Sequence, residues 1–160
     1  MNKMTKNNST KSNVSNSPVV MDLEQSIPAI LTVLGRQLSG TAGARLNEKF
    51  GVNNVDWRIL SALAKEQNLS AKQICTIAIF DKALVSRRLK LLNSTGLVKT
   101  KLDKNNKNLT RTALTEKGKR LYSKLVEEVS KIDNNALSEL SKTEQKSLLD
   151  VLLKLRKSIP

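Results

Sequence analysis

Histidine is absent from the 160 residues, and cysteine occurs once, at Cys75. Without histidine, the chain lacks the usual zinc sites, histidine general bases and Ser-His or Cys-His pairs of hydrolases. A single cysteine excludes an intramolecular disulfide and favours a cytoplasmic setting. The acidic residues are scattered, and no Gly-rich phosphate loop is present. We therefore expect a protein that is not an enzyme and that uses neither a metal nor a cofactor.

Long apolar runs are missing as well. No run approaches the roughly 18 residues of a membrane span, so the sequence predicts no membrane partner. The first 20 residues contain three lysines but no continuous apolar core, which does not fit a secretory signal. Aromatic residues make up 2% of the chain, too few to outline a ligand pocket from sequence.

Positive charge is what the chain has in excess: 28 Lys and Arg residues against 14 Asp and Glu give a net charge of +14. Such an excess favours a polyanionic partner, either nucleic acid or an acidic membrane surface. Residues 81–120 contain twelve basic and three acidic residues, a net +9 within a quarter of the chain. Because a solvated face usually mixes both signs, this concentration predicts contact with phosphates. The alternative is a merely basic surface.

Residues 1–20 are rich in Asn, Ser, Thr and Lys and are predicted to form a disordered basic arm. The arm either adds a DNA contact or is an inert tail, and the second interpretation is favoured because three lysines are a weak signal.

Apolar residues recur at helical spacing on both sides of the basic region, over 22–50 and 116–159. Pro28 either sets the start of the first helix or kinks it, and Gly40 and Gly43 are expected to weaken its middle. These terminal helices carry more apolar positions than one small lobe needs, which predicts a dimerisation region. A self-contained helical core is the alternative.

Residues 54–115 lie between these helices and contain the signals of three helices and a hairpin. Asn53 or Asn54 can cap a helix that carries Trp57, an aromatic expected in the core. Ser70 and Asp81 are good caps for the two helices that follow. Farther along, Thr115 can cap another helix, and a capping box begins the last helix. Its residues are Ser141, Lys142, Thr143 and Glu144.

After Gly96 the apolar period changes from that of a helix to that of a strand. Residues 97–102 and 109–114 are short strand candidates. Asn and Asp tolerate positive φ, so residues 103–108 between them are expected to form the tip of a hairpin. Two helices followed by a basic hairpin are the order of a winged helix-turn-helix, in which the hairpin is the wing.

A DNA major groove, about 12 Å wide, admits one helix, and the helix after Asp81 is the candidate. The apolar period predicts an inward stripe of Val85, Arg88 or Leu89, and Leu92. Arg88 and Lys90 lie further round the helix than the base-reading residues and are predicted to reach phosphates. Ser70 and Asp81, at helix starts, are expected to act as caps beside backbone phosphates. An ordinary amphipathic helix with a basic face is the alternative. The residues expected to read base edges are Lys82, Ala83, Ser86 and Arg87. The predicted wing contacts are Lys101, Lys104, Asn106, Lys107, Asn108 and Arg111.

Three stretches resemble the MarR (multiple-antibiotic-resistance regulator) family. Residues 55–60 resemble the second helix of these regulators, and residues 81–89, followed by Leu92 and residues 96–98, resemble their recognition helix and the start of the wing. Residues 114–118 are similar to the segment that closes the wing. The resemblance covers about residues 22–157 and implies a mostly α fold with a small β-hairpin wing, a winged helix-turn-helix lobe over 54–115 and a helical dimerisation region.

The resemblance implies a homodimer that binds inverted-repeat operators on double-stranded DNA, as a repressor. It also implies that a small aromatic or phenolic anion binds between the dimerisation helices and the DNA-binding lobe and weakens operator binding. Wings of the family usually carry an Asp-x-Arg tip whose arginine enters the minor groove. Those places fall at Asn106 and Asn108 here, so lysine contacts to the backbone are expected instead.

Two other interpretations remain. The winged fold also serves as a module that binds RNA or protein, and an enzyme is the weakest alternative. Cys75 is either a peroxide sensor or an inert buried thiol, and the inert thiol is favoured because structural cysteines are usually buried and unreactive.

Overall fold

The computed structural model describes residues 22–103, 106 and 109–159. This part of the chain is mostly helical with one antiparallel hairpin, as the sequence predicts. The arm predicted over 1–20 and the wing residues Lys104, Lys107 and Asn108 lie outside the described residues. None of the described helices is long and apolar enough to cross a membrane. The elements are α1 (Ile27–Phe50), α2 (Asn54–Lys65), α3 (Ala71–Ala78), α4 (Lys82–Ser94), β1 (Val98–Leu102), β2 (Thr110–Leu114), α5 (Glu116–Ala136) and α6 (Lys142–Ser158).

The predicted caps begin five of these helices. In each, a side-chain oxygen accepts the backbone N–H three residues later, which satisfies a donor that the first helical turn leaves without a partner. In α3 and α6 the residue at the third helical position returns the bond and completes a capping box. The capping residues are Asn53, Ser70, Asp81, Thr115 and Ser141.

Helix α1 starts later than the apolar pattern does. Pro28 occupies its first turn and sets the start, so residues 22–26 form a turn instead of helix. Gly40 and Gly43 do not interrupt the helix, which runs unbroken for 24 residues. It ends at Gly51, whose φ of 66° is left-handed and whose N–H bonds the carbonyl oxygens of Asn47 and Leu46.

The hairpin pairs Val98 with Leu114 at its base and Leu102 with Thr110 towards its tip. Leu69, just before α3, extends this sheet: its N–H and carbonyl both bond Thr112, at 3.0 and 2.8 Å. The base of the wing is therefore fixed to the start of the helix-turn-helix.

Helix α2 lies at the centre of the core. Its Ile59, Leu60 and Leu63 are fully buried and pack with apolar residues of all the other helices except α6. Trp57 stacks on Tyr122 of α5 with ring centroids 5.5 Å apart. This contact confirms that Trp57 is a core aromatic. The core residues outside α2 include Leu46, Ile74, Val85, Leu89, Leu92 and Leu125.

Helix α6 and the first half of α1 are covered far less. No residue of α6 is buried, and both segments expose large apolar side chains. These are Ile27, Ile30, Val33, Leu34 and Leu38 on α1, and Leu148, Leu149, Val151 and Leu153 on α6. The predicted boundaries of the dimerisation region stay a prediction.

Candidate nucleic-acid interface

Helix α4 presents one face to the core and the opposite face to solvent. Val85, Leu89 and Leu92 are buried on the inner side. The outer side carries side chains that are all exposed, and we call them the recognition face: Lys82, Ala83, Ser86, Arg87 and Lys90. The Asp81 side chain caps the helix by accepting the N–H of Leu84 at 2.8 Å. The structure thus brings together every predicted residue of α4 except one.

The exception is Arg88, which is bonded within the protein, and its predicted phosphate contact stays a prediction. Its Nε donates to Asp56 Oδ1 at 2.7 Å, and a terminal guanidinium nitrogen donates to Asp56 Oδ2. The side chain of Asp56 is only 3% exposed. The hydrogen bonds that Arg88 donates to Asp56 raise the pKa of Arg88 above its ordinary value, although partial burial opposes the rise. Arg88 therefore faces the core, because it neutralises a buried carboxylate on α2.

Arg111 is the second predicted contact residue that has partners within the protein. Its Nε donates to Asp103 Oδ2 at 2.6 Å, and its Nη1 donates to Gln73 Oε1 at 2.9 Å. Gln73 also completes the capping box with Ser70, so Arg111 ties the wing to the start of α3. Its guanidinium is thus engaged within the protein, and its predicted DNA contact stays a prediction. Sequence reasoning missed Asp103 and Gln73, since neither belongs to the basic pattern.

The remaining predicted residues divide by exposure. Lys101 on β1 and Asn106 at the hairpin tip are exposed. Ser70 is confirmed as a cap, but it is 6% exposed and its hydroxyl donates to Gln73 Oε1. The Ser70 side chain is thus not offered to a phosphate.

A cleft of about 300 Å³ separates α4 from the wing. Ser86, Lys90 and Asn93 line one wall, and Thr100 and Thr110 line the other. Hydroxyl, amide and ammonium donors on both walls suit a phosphate oxygen. The sequence analysis did not predict Thr100 and Thr110 as site residues. The alternation of side chains along β1 and β2 could have placed both on one face of the hairpin.

A second charged cluster joins α1 to α5. Glu128 is 5% exposed and accepts Arg45 Nε at 2.9 Å and Lys49 Nζ at 2.8 Å. The hydrogen bond from Lys49, which has the larger effect, and the one from Arg45 lower the pKa of Glu128 to about 2. A cavity of about 440 Å³ opens beside this cluster, and its lining includes Arg45, Glu128 and Lys131 together with apolar Leu38.

Comparison with known proteins agrees with this architecture. The MarR family model matches residues 50–107, which include α2, α3, α4 and β1. The uncharacterized HTH-type transcriptional regulator YdgJ of Bacillus subtilis (strain 168) is 25% identical over 117 residues, which are 73% of this chain and 71% of the relative.

Solved structures share the fold over most of the chain. A MarR/EmrR family transcriptional regulator from Acinetobacter sp. ADP1 superposes with a TM-score of 0.77 at 27% identity, over 87% of this chain and 98% of that one. PcaV of Streptomyces coelicolor, solved with its natural ligand, shares the fold with a TM-score of 0.72 at 18% identity, over 89% and 100% of the two chains. Residues 50–107 thus match the MarR family model, and the chain has the winged helix-turn-helix fold of the MarR-family transcription regulators among the solved structures.

Proposed function

We propose that this protein is a homodimeric repressor that binds inverted-repeat operators on double-stranded DNA in the cytoplasm. The observation that carries the proposal is the recognition face, which has three cations and no acidic residue and lies exposed beside a hairpin that bears a lysine. A surface of one sign next to a groove-sized helix matches the charge and shape of a DNA major groove.

The chemistry of the recognition face gives each residue a role. Arg87 suits guanine O6 and N7, and the methyl group of Ala83 suits the thymine methyl. Ser86 reads a base or a phosphate, whereas Lys82 and Lys90 neutralise phosphates that fix the register.

The wing makes mainly backbone contacts in this proposal. Lys101 is exposed on β1, and Lys104 and Lys107 belong to the tip segment beyond it. Asn106 and Asn108 occupy the places where the family usually carries its Asp-x-Arg tip. Because no arginine stands there, we expect little sequence preference at the minor-groove flanks.

The exposed apolar faces of α1 and α6 support the dimer. Leu149 and Val151 of α6 are 56% and 59% exposed, although leucine and valine are usually buried. A two-fold dimer that covers these faces would place the two recognition helices one DNA turn apart. The half-sites would then lie about 10 bp from centre to centre.

A small aromatic or phenolic anion is the proposed effector. The cavity between α1 and α5 lies within the predicted dimerisation region, not between that region and the DNA-binding lobe. It combines an arginine, a lysine and apolar side chains, which suits a ligand with one charged end. PcaV, which shares the fold, has been solved with its natural ligand. An anion in this cavity would compete with Glu128 for Arg45, and so would loosen the contact of α1 with α5.

Selection of bound fragments from random duplex DNA, with light scattering of the protein, tests the proposal. We expect a dimer and an inverted repeat, with affinity falling roughly 10³- to 10⁵-fold between 50 and 200 mM salt if six to ten phosphates are contacted. Arg87→Ala should cost about 1–3 kcal/mol and relax one base position. Lys65→Ala, an exposed cation on α2 outside the recognition face, is the control. A monomer that shifts no duplex DNA would favour a module for RNA or protein.

A further inference from the structure

We infer that Asp56 and Arg88 are positioning residues that fix the rotation of α4 about its own axis, and so determine which side chains face the groove. The DNA-binding part of this inference rests on the function proposed above. The rotation itself concerns the free protein and is measurable without DNA.

The two residues lie where such a restraint acts on the whole helix. At about 100° per residue, Arg88 is some 160° around α4 from both Ser86 and Lys90. It therefore leaves the helix on the side opposite the recognition face. A bond that holds this side to the core holds the recognition face outward.

The apolar contacts of α4 restrain its rotation less. Val85, Leu89 and Leu92 form a stripe only about 60° wide on a helical wheel. Apolar contacts are not directional, and cores lose a unique packing before they lose stability. The stripe therefore attaches α4 to the core, but small rotations of α4 about its axis cost little free energy.

The ion pair is directional. The guanidinium of Arg88 meets both carboxylate oxygens of Asp56, and two parallel bonds define a plane as well as a distance. Asp56 is itself fixed, because its backbone N–H bonds the side chain of Asn53 and it lies in the first turn of α2. Rotation of α4 would break both bonds and leave a carboxylate buried without a partner.

The test replaces the pair without changing the net charge. The double variant Asp56→Leu with Arg88→Met fills similar space with apolar atoms, and such exchanges of a buried pair are often neutral for folding. Circular dichroism and thermal unfolding check that the variant folds. The matched control, Glu116→Leu with Lys119→Met, removes an exposed ion pair on α5.

Helix rotation is read from thiol modification in a Cys75→Ser background. Ser86→Cys, on the recognition face, and Leu84→Cys, on the half-buried flank, are introduced separately. With the ion pair present, the first should react fast and the second slowly. Without it, we expect the ratio of the two rates to fall towards one, whereas the control pair leaves the ratio unchanged. An unchanged ratio in the folded double variant overturns the inference.

DNA binding supplies the second readout. We expect the double variant to keep its affinity for random duplex and its salt dependence, because its charge is unaltered, but to lose about tenfold in operator discrimination. The ratio of thiol rates could fall in the double variant while its discrimination between operator and random duplex equals that of the original chain. This result would overturn the claim that the rotation of α4 determines DNA recognition. A fall in the thiol ratio in a chain that never discriminates between duplexes supports the positioning role and contradicts the proposed function.

Discussion

The carbonyl oxygen of Leu97 lies 2.0 Å from the point that a Cβ atom on Gly118 would occupy. Gly118 is in the first turn of α5, and the same carbonyl accepts the N–H of Thr115 at 3.1 Å. Only glycine lets the start of α5 approach the start of the wing this closely.

Gly118→Ala should therefore destabilise the protein. The methyl group would push α5 away from backbone that cannot yield as a side chain does, at a cost of about 1–3 kcal/mol. Denaturant unfolding measures the change. Gly35→Ala is the matched control, since its Cβ meets nothing within 4 Å in α1, and it should stabilise by about 0.5–1 kcal/mol. Equal effects of the two substitutions would contradict the close approach.

Ile79→Asn should stabilise the protein. Ile79 ends α3 with a φ of 58° and is 74% exposed, so it bears the strain of a left-handed β-branched residue without a packing gain. Asparagine tolerates this conformation, and we expect a gain of about 1 kcal/mol in the free energy of unfolding. Ile77→Asn, also exposed but helical, should give no gain. A loss of stability in Ile79→Asn would show that the Ile79 side chain makes a stabilising contact.

Acid should weaken the connection between α1 and α5. The pKa of Glu128 is about 2 in the folded protein, below the ordinary value of 4.5. A lowered folded pKa means that the ionised carboxylate stabilises the fold fully above the unfolded pKa and loses this contribution as pH falls from about 4.5 to about 2. Across this pH range, the free energy of unfolding should depend less on pH in Glu128→Gln than in the original chain. An identical pH profile would contradict the role of the ion pairs with Arg45 and Lys49.

Leu149→Lys should convert a dimer into a monomer without unfolding the chain. Leu149 is 56% exposed on α6, so lysine is tolerated within one chain, whereas at a two-fold interface it would bring buried charge. Light scattering gives the mass, and circular dichroism the helix content. Lys154→Ala on the same helix should leave the mass unchanged. An unaltered mass in Leu149→Lys would place the interface elsewhere.

Local signals predicted the elements, and partners distant in sequence escaped prediction. Asp81 and Ser141 were recognisable as caps from their residue types, because a cap needs a partner only three residues later in the chain. The structure shows both of these bonds. Arg88 was ambiguous: charged residues are seldom buried unless paired, and its partner Asp56 lies 32 residues away on another helix. Periodicity alone therefore left open whether Arg88 or Leu89 belongs to the inward side of the helix.

The same distinction applies to the sites between helices. Glu128 meets Arg45 across 83 residues, so no spacing in the sequence pointed to the cluster or to its cavity. Arg111 belonged to the basic pattern of the wing, but its acceptors Asp103 and Gln73 come from two different segments. Charge patterning identified the basic region correctly and could not tell which of its cations were already neutralised.

The capping box of α6 affects how quickly its leucines can be covered. Ser141 and Glu144 satisfy the first turn of a 17-residue helix in which no side chain is buried. A helix that is ordered before it meets another surface loses little chain entropy on contact, whereas a segment that folds as it binds loses much more. In the proposed dimer, α6 would thus associate as an already folded helix. The rate of association would then be set by collision and orientation of the two chains.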